Sequence, residues 1–161
     1  MHSPTYGNVT NEEVVQIIKR YIRNHGNDNQ YKIIIGSDSQ NFHETKLVLV
    51  IALIDIGHGG IFFYDIHRVP KIKNIKQKLF KETQQSLEYA QLMLELFDKE
   101  FFDDNFDYSN IDFAIHVDAG QNGKTREVIP EIVEWVKACG FECETKPDSF
   151  VASSIADKYS K

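Results

Sequence analysis

The sequence predicts an α/β fold in which one mixed sheet of five strands is flanked by helices. Three apolar, β-branched runs follow one another with short links, which is typical of an antiparallel meander. After them, segments with helical periodicity alternate with short apolar runs, which favours two further strands that lie parallel. The predicted sheet therefore has three antiparallel strands and then two parallel strands.

The composition fits one globular domain. The chain has 161 residues, of which 42% are hydrophobic and 26% charged, so a wholly disordered chain is excluded. The longest apolar run, Leu47 to Ile54, is too short for a membrane helix. The N-terminal sequence MHSPTYGNVTNEEVV has no basic start followed by an apolar core, so we expect no signal peptide. With only 2 cysteines, the chain is expected to be a cytoplasmic protein with reduced thiols.

The net charge is −6, which argues against a basic surface that coats nucleic acid indiscriminately. A local basic groove remains compatible with this charge. An acidic balance also fits a site built from carboxylates, which needs a metal ion or a basic partner.

A helix is predicted first, at Asn11–Arg23. Thr10 and Glu13 have the spacing of a capping box, and an apolar stripe follows at helical spacing. Residues 1–30 are therefore expected to form a helical extension ahead of a main unit of residues 31–161, within a single domain overall.

The three antiparallel strands are predicted at Tyr31–Gly36, Leu47–Ile56 and Ile61–Val69, because each is apolar and bounded by turn residues. A long helix is predicted at Lys73–Phe97 from its apolar inner face. The acidic and aromatic stretch Asp98–Asn110 is predicted to be a surface loop or the frayed end of that helix.

The rest of the chain alternates strand and helix. Strands are predicted at Ile111–Val117 and Phe141–Thr145, and helices at Glu127–Ala138 and Ser149–Tyr159. The Gly-rich segment Ala119–Thr125 is predicted to be a turn.

Two carboxylates follow two of the apolar strands directly. Asp38 comes after Ile33-Ile34-Ile35-Gly36-Ser37, and Asp118 comes after Ile115-His116-Val117. Ligand sites in such sheets lie beyond the strand ends, so the two acids are candidates to converge on a divalent cation. The alternative is that each caps a turn or a helix.

Two further acids lie on predicted helices. Helical geometry places Glu82 at the edge of the buried face, where a carboxylate is costly unless it is paired or binds a metal. The alternative is a pair with Lys78 or Lys81. Asp157 lies in the last helix beside small residues that allow close packing on the sheet, and Asp148 is its rival, although it also suits a helix cap.

The order of these elements and acids resembles the ribonuclease H-like fold. The phrases IIIGSDSQ, HVDAGQNGKTREVI and KPDSFVASSIADKYSK further resemble the bacterial YkuK-type family of ribonuclease H-like proteins. The likeness extends from Tyr31 to Lys161. One position departs from the pattern, since Ser39-Gln40 follow the first Asp where such nucleases commonly have Gly-Ser.

The resemblance implies a site of four acids, Asp38, Glu82, Asp118 and Asp157, that holds two Mg²⁺ or Mn²⁺ ions. Oxygen ligands suit these metals, and two such ions support in-line hydrolysis of a phosphodiester bond. The implied activity is a metal-dependent nuclease acting on RNA, RNA–DNA hybrid or DNA. The alternative is a catalytically silent ribonuclease H-like module that binds nucleic acid or protein.

The substrate of such a site needs positive charge nearby. A basic run extends from Arg68 to Lys81, between the third strand and Glu82, and further basic residues follow Asp118 and precede Pro147. The residues predicted to contact phosphates are Lys73, Lys76, Lys124, Arg126 and Lys146. The alternative for the basic run is a solvated, lysine-rich helix start.

Overall fold

The computed structural model describes residues 1–102, 109–120 and 123–160. The strands are β1 (His2–Ser3), β2 (Gly7–Asn8), β3 (Tyr31–Asn41), β4 (Thr45–Asp55), β5 (Gly59–Val69), β6 (Ile111–His116) and β7 (Glu142–Glu144). The helices are α1 (Asn11–His25), α2 (Ile75–Phe102), α3 (Ile129–Ala138) and α4 (Phe150–Ser160), with a short 3-10 helix at Arg126–Val128. Within those residues, no helix is both long enough and apolar enough to cross a bilayer.

The sheet has the predicted topology. Its strand order is β2-β1-β5-β4-β3-β6-β7, with β3, β4 and β5 antiparallel and with β6 and β7 parallel to β3. The strand count is seven rather than five, because two short N-terminal strands extend the sheet beyond β5. The α/β class and the mixed sheet flanked by helices are therefore confirmed.

The capping box predicted for α1 is present. The Thr10 side chain accepts from the Glu13 N–H, and the Glu13 side chain accepts from the Thr10 N–H. The helix continues to His25 and ends at Gly26, whose φ of 97° a residue with a side chain rarely adopts. Its apolar face packs in the main core with residues of β3, β4 and α2.

The main core lies between one face of the sheet and helices α1, α2 and α3. Helix α4 covers part of the opposite face, where Ala156 packs against Val48 and Val50. Ala152 packs over Gly36, where an added Cβ would lie only 2.6 Å from the Ala152 Cβ. Small residues on both sides therefore allow α4 to approach β3 closely, as predicted for this helix.

Strand β3 is longer than predicted, and the expectation that Asp38 follows the strand is wrong. β3 continues to Asn41 because Asp38 pairs with Val48 and Asn41 pairs with Thr45 of β4. Its parallel neighbour β6 stops earlier, at the His116 position that pairs with Gly36. The apolar run of β3 thus ends where its pairing with β6 ends, and the polar residues that follow continue the antiparallel pairing with β4.

Other boundaries differ at the ends of helices. Helix α2 begins at Ile75 and continues to Phe102, so the first part of the predicted loop Asp98–Asn110 is helical. Residues 103–108 of that loop, and residues 121–122 of the predicted Gly-rich turn, lie outside the described residues. A 3-10 turn precedes α3, so the predicted helix at Glu127 becomes α-helical only at Ile129.

Candidate active site

Asp38 and Ser39 are adjacent in β3, so their side chains face opposite sides of the sheet, and both contribute to the site. Asp38 lies on the face that α4 partly covers, as does Gly36. Ser39 lies on the face that α2 covers, and its hydroxyl donates to the Glu82 carboxylate. Two residues earlier on that face, the Ser37 hydroxyl lies 2.9 Å from the Ser86 hydroxyl. The Gln85 amide of α2 also donates to the Ser37 hydroxyl, at 3.1 Å. Helix α2 is therefore attached to β3 by polar contacts at both Ser37 and Ser39, beside the acids.

Three of the four predicted acids line one pocket. Asp38 comes from β3, Glu82 from α2 and Asp118 from the segment after β6. In the parallel register of β3 and β6, Gly36 is opposite His116, so Asp38 and Asp118 follow that pair by the same two residues. The parallel pairing thus brings the two aspartates to one edge of the sheet.

Glu82 is the most buried acid of this pocket, with 7% of its surface exposed. Burial, and to a smaller extent the negative charges of Asp38 and Asp118, raise its pKa from 4.5 to about 8 against the opposing effects of Ser39 and Lys78. Without a bound cation, Glu82 therefore keeps its proton at neutral pH. A cation in the pocket would favour the ionised form.

Asp118 forms an ion pair with Lys146, whose Nζ lies 2.8 Å from the Asp118 Oδ1. The Lys146 backbone is fixed nearby, since its N–H donates to the Ala119 carbonyl at 2.8 Å. The hydrogen bond to Asp118, and the charges of Asp118, Asp38 and Glu82, raise the pKa of Lys146 although burial opposes them. Lys146 thus acts as a cation toward the whole acidic pocket.

Of the other predicted phosphate-binding residues, Lys124 lines a cleft that shares Asp118 with this pocket. The cleft has a volume of about 640 Å³ and is also lined by Lys146. Lys76 pairs with Glu127 at 3.2 Å. Lys73 is exposed before α2, and Arg126 is exposed at the start of the 3-10 helix.

The two candidates for the fourth acid are placed differently. Asp148 is exposed in the turn before α4, where its N–H donates to the Thr145 carbonyl at 2.8 Å. The backbone of Asp157 lies in α4, while its side chain lies outside the described part of the chain. The choice between them stays a prediction.

A charged cluster behind the site escaped the sequence analysis. Glu144 of β7 binds both Lys32 of β3 and His116 of β6, with 2.8 Å between the Glu144 Oε2 and the His116 Nε2. Burial lowers the pKa of His116 against the opposing effect of Glu144. The signal for this cluster is the parallel register, which aligns His116 with Glu144 and which no local sequence pattern reveals.

The pocket has the donor chemistry of a magnesium or manganese site, since all three carboxylates supply hard oxygen ligands. Their oxygens are instead directed at protein donors: Asp38 accepts from the Ser39 N–H, Glu82 from the Ser39 hydroxyl, and Asp118 pairs with Lys146. Among the described side chains, no three acids, histidines or cysteines are grouped closely enough to hold a metal ion. The three carboxylates are therefore the right kind of ligand for such an ion, and their side chains must rotate away from these protein donors to bind it.

Comparison with known proteins identifies the class to which this fold and pocket belong. A family model described as ribonuclease H-like matches residues 13–161, so the chain belongs to the ribonuclease H-like family. The chain is also similar to the uncharacterized protein YkuK of Bacillus subtilis (strain 168), with 27% identity over 159 residues that cover 95% of this chain and 92% of that protein. No solved structure matches it significantly. The predicted resemblance to ribonuclease H-like proteins of the YkuK type is confirmed.

Proposed function

We propose that this protein is a metal-dependent nuclease that hydrolyses phosphodiester bonds of RNA, RNA–DNA hybrid or DNA. The observation that carries the proposal is that Asp38, Glu82 and Asp118, from three separate elements, line one pocket. Three carboxylates held this close, one of them buried, cannot all be ionised at low cost unless cations compensate their charge. Two divalent cations, Mg²⁺ or Mn²⁺, provide that charge in the proposed function.

Asp38, Glu82 and Asp118 would hold the metal ions, with Asp157 as the proposed fourth ligand. The ions would supply an activated water and charge stabilisation for the leaving oxygen. Ser39 positions Glu82 through its hydroxyl. Glu82 would have to release its proton to act as a ligand, because only the carboxylate form binds a metal well.

Lys146 changes partner in this proposal. In the structure it neutralises Asp118. If Asp118 instead held a metal ion, the Lys146 ammonium would be available to a phosphate of the substrate, and Lys124 lies in the same cleft. Lys73, Lys76 and Arg126 are proposed to extend this positive charge along the nucleic acid.

A second candidate function is supported by the same contacts. Because Ser39 already binds Glu82 and Lys146 already neutralises Asp118, the acidic residues have partners without any metal ion. A ribonuclease H-like module that binds nucleic acid or protein without cleaving it is compatible with such an internally paired pocket.

Cleavage assays distinguish the two functions. Labelled RNA, DNA and RNA–DNA hybrid are incubated with the protein in Mg²⁺, in Mn²⁺ and in EDTA. The nuclease proposal expects cleavage that needs the metal and disappears in Asp38→Asn, while Asp112→Asn, an exposed aspartate of β6, cleaves normally. Cleavage that is equal in Asp38→Asn and the unmodified chain, or absent from all substrates, contradicts the nuclease proposal.

The same assay identifies the fourth acid. Asp157→Asn is expected to lose cleavage, and Asp148→Asn is expected to retain it. The reverse result would assign the role to Asp148, which lies in the turn before α4.

A further inference from the structure

Two cations stand directly opposite each other on neighbouring strands of the sheet. Lys46 of β4 is paired in register with Arg68 of β5. Side chains of directly opposed residues share one face, and like charges in that arrangement destabilise the sheet. The repulsion between Lys46 and Arg68 therefore opposes folding, and a bound anion would relieve it.

The Lys46–Arg68 pair lies on the same face of the sheet as Asp38. It is level with Gln40, the next residue of β3 on that face. Gln40, two residues after Asp38 on β3, is paired with Lys46 of β4. Strands lie about 4.8 Å apart and two residues span about 6.8 Å, so the Cα atoms of Lys46 and Arg68 lie roughly 8 and 12 Å from that of Asp38. At about 3.4 Å of helix axis per nucleotide of one strand, these distances correspond to phosphates about two to four nucleotides from the reacting one.

Helix α4 leaves this end of the face uncovered in the part of the chain that the structure describes. Ala152 of α4 packs at Gly36, and Ala156 packs at Val48 and Val50. Near the end of α4, Tyr159 stacks on Tyr64 of β5. Beyond them, Gln40 and Arg68 are exposed and Lys46 is half-buried. The acid and the two cations are thus joined by a solvent-facing stretch of sheet.

Protection of a sheet edge does not explain the pair. Charged residues often keep edge strands from pairing with other chains, and Arg68 lies on β5 beyond its single pairing with β1 at Tyr64. Arg68 also lies 3.6 Å from Glu44, in an exposed ion pair. Lys46, however, is on β4, which has β3 and β5 on its two sides. Its charge protects no edge.

We propose that this face of β3, β4 and β5 binds the phosphate backbone of a nucleic-acid strand that leads to Asp38. Lys46 and Arg68 each contact a phosphate, and the strand lies across the sheet at the end that α4 leaves open. This inference rests on the proposed function and names the surface that its substrate uses. The proposed surface lies on the face of the sheet opposite the one that α2 covers.

Charge reversal at Lys46 tests the proposal with two readouts that move in opposite directions. Lys46→Glu is expected to weaken binding of short labelled RNA, DNA and hybrid at least about tenfold, and to lower the slope of log Kd against log salt by about one or more. The same variant places opposite charges at the pair, so it is expected to melt at an equal or higher temperature. A merely structural role would lower both binding and melting temperature.

Binding is measured in the Asp38→Asn background, which makes it independent of cleavage. Arg68→Ala is expected to lower the salt slope by about one. Lys99→Ala, an exposed lysine roughly 25 Å along α2 from Glu82, is the matched control and is expected to bind normally. Unchanged binding in Lys46→Glu, or no binding of any nucleic acid by the parent, overturns the inference. Weakened binding without any cleavage by the unmodified chain would support this surface and contradict only the nuclease proposal.

Discussion

Lys146 Nζ and Asp118 Oδ1 lie 2.8 Å apart, so the acidic pocket contains a cation that belongs to the protein itself. The side chain of Lys146 is 53% exposed, and that of Asp118 is 19% exposed. A pair of this exposure contributes only about 1 kcal/mol or less, so a divalent cation can displace the ammonium. The Lys146–Asp118 pair therefore lowers the affinity for a metal ion without preventing metal binding.

Removal of this ammonium is expected to strengthen metal binding. In Lys146→Ala, Asp118 has lost its internal cation, so the affinity for Mn²⁺ should rise by about two- to fivefold, the equivalent of roughly 0.5–1 kcal/mol. Calorimetric titration of the metal-free protein measures it, with Lys99→Ala as the charge-matched control. A lower affinity in Lys146→Ala would mean that the lysine supports the metal site instead of competing with the metal.

Loss of the Ser39 hydroxyl is expected to destabilise the protein in a pH-dependent way. Ser39→Ala removes the hydrogen bond to Glu82. The cost should be about 1 kcal/mol where Glu82 is protonated and about 2 kcal/mol where it is ionised, because hydrogen bonds to charged groups are stronger. Urea unfolding in EDTA measures the difference. Ser37→Ala loses contacts with the Ser86 hydroxyl and the Gln85 amide, neither of which titrates, so it is the control whose cost should not change with pH.

Glu82 is expected to make the metal-free protein less stable as pH rises. Its pKa is about 8 in the folded chain, against 4.5 for an ordinary glutamate. Between these values the folded state holds a proton that the unfolded state has released, so a rise in pH favours unfolding. Below pH 4.5 both states are protonated, and the full stabilisation is present.

Glu82→Gln isolates this contribution, because glutamine resembles the protonated acid and does not titrate. Between about pH 6 and about pH 8.5, the free energy of unfolding should fall by roughly 2 kcal/mol more in the unmodified chain than in Glu82→Gln. Parallel pH profiles of the two proteins in EDTA would show that Glu82 titrates normally and would refute the prediction.

A methyl group at Gly36 is expected to separate α4 from the sheet. The Cβ of Gly36→Ala would lie 2.6 Å from the Ala152 Cβ, a distance at which one of the two elements must shift. The free energy of unfolding is expected to fall by about 1–3 kcal/mol. If the contact is responsible, Ala152→Gly should cost less in the Gly36→Ala background than alone, as a double-mutant cycle of unfolding free energies measures.

Much of the architecture is encoded in local patterns. The β-branched runs predict β3, β4 and β5, and Thr10 with Glu13 predicts the start of α1, because these signals depend only on near neighbours. The end of β3 is different. Its pairing beyond Gly36 depends on β4 alone, and the polar residues that make that pairing have no apolar pattern to mark it.

The acids of the pocket follow from topology, whereas their partners do not. Parallel pairing of β3 and β6 brings Asp38 near Asp118, and helical spacing predicts that Glu82 is near the core. The contact of Lys146 with Asp118 depends on the path of the β7–α4 segment and on its hydrogen bond to Ala119. The cluster of Lys32, His116 and Glu144 likewise requires the register of three strands.

The overhang of β3 beyond β6 has a kinetic consequence. Asp38 lies on the part of β3 that continues after β6 has ended, so the pocket opens sideways at the rim of the sheet. An ion can then arrive or leave through rotation of the Lys146 and Asp118 side chains, without separating a helix from the sheet. Such rotations are far faster than the microsecond-to-millisecond motions of lids and domains. We therefore expect exchange of ions to equilibrate rapidly.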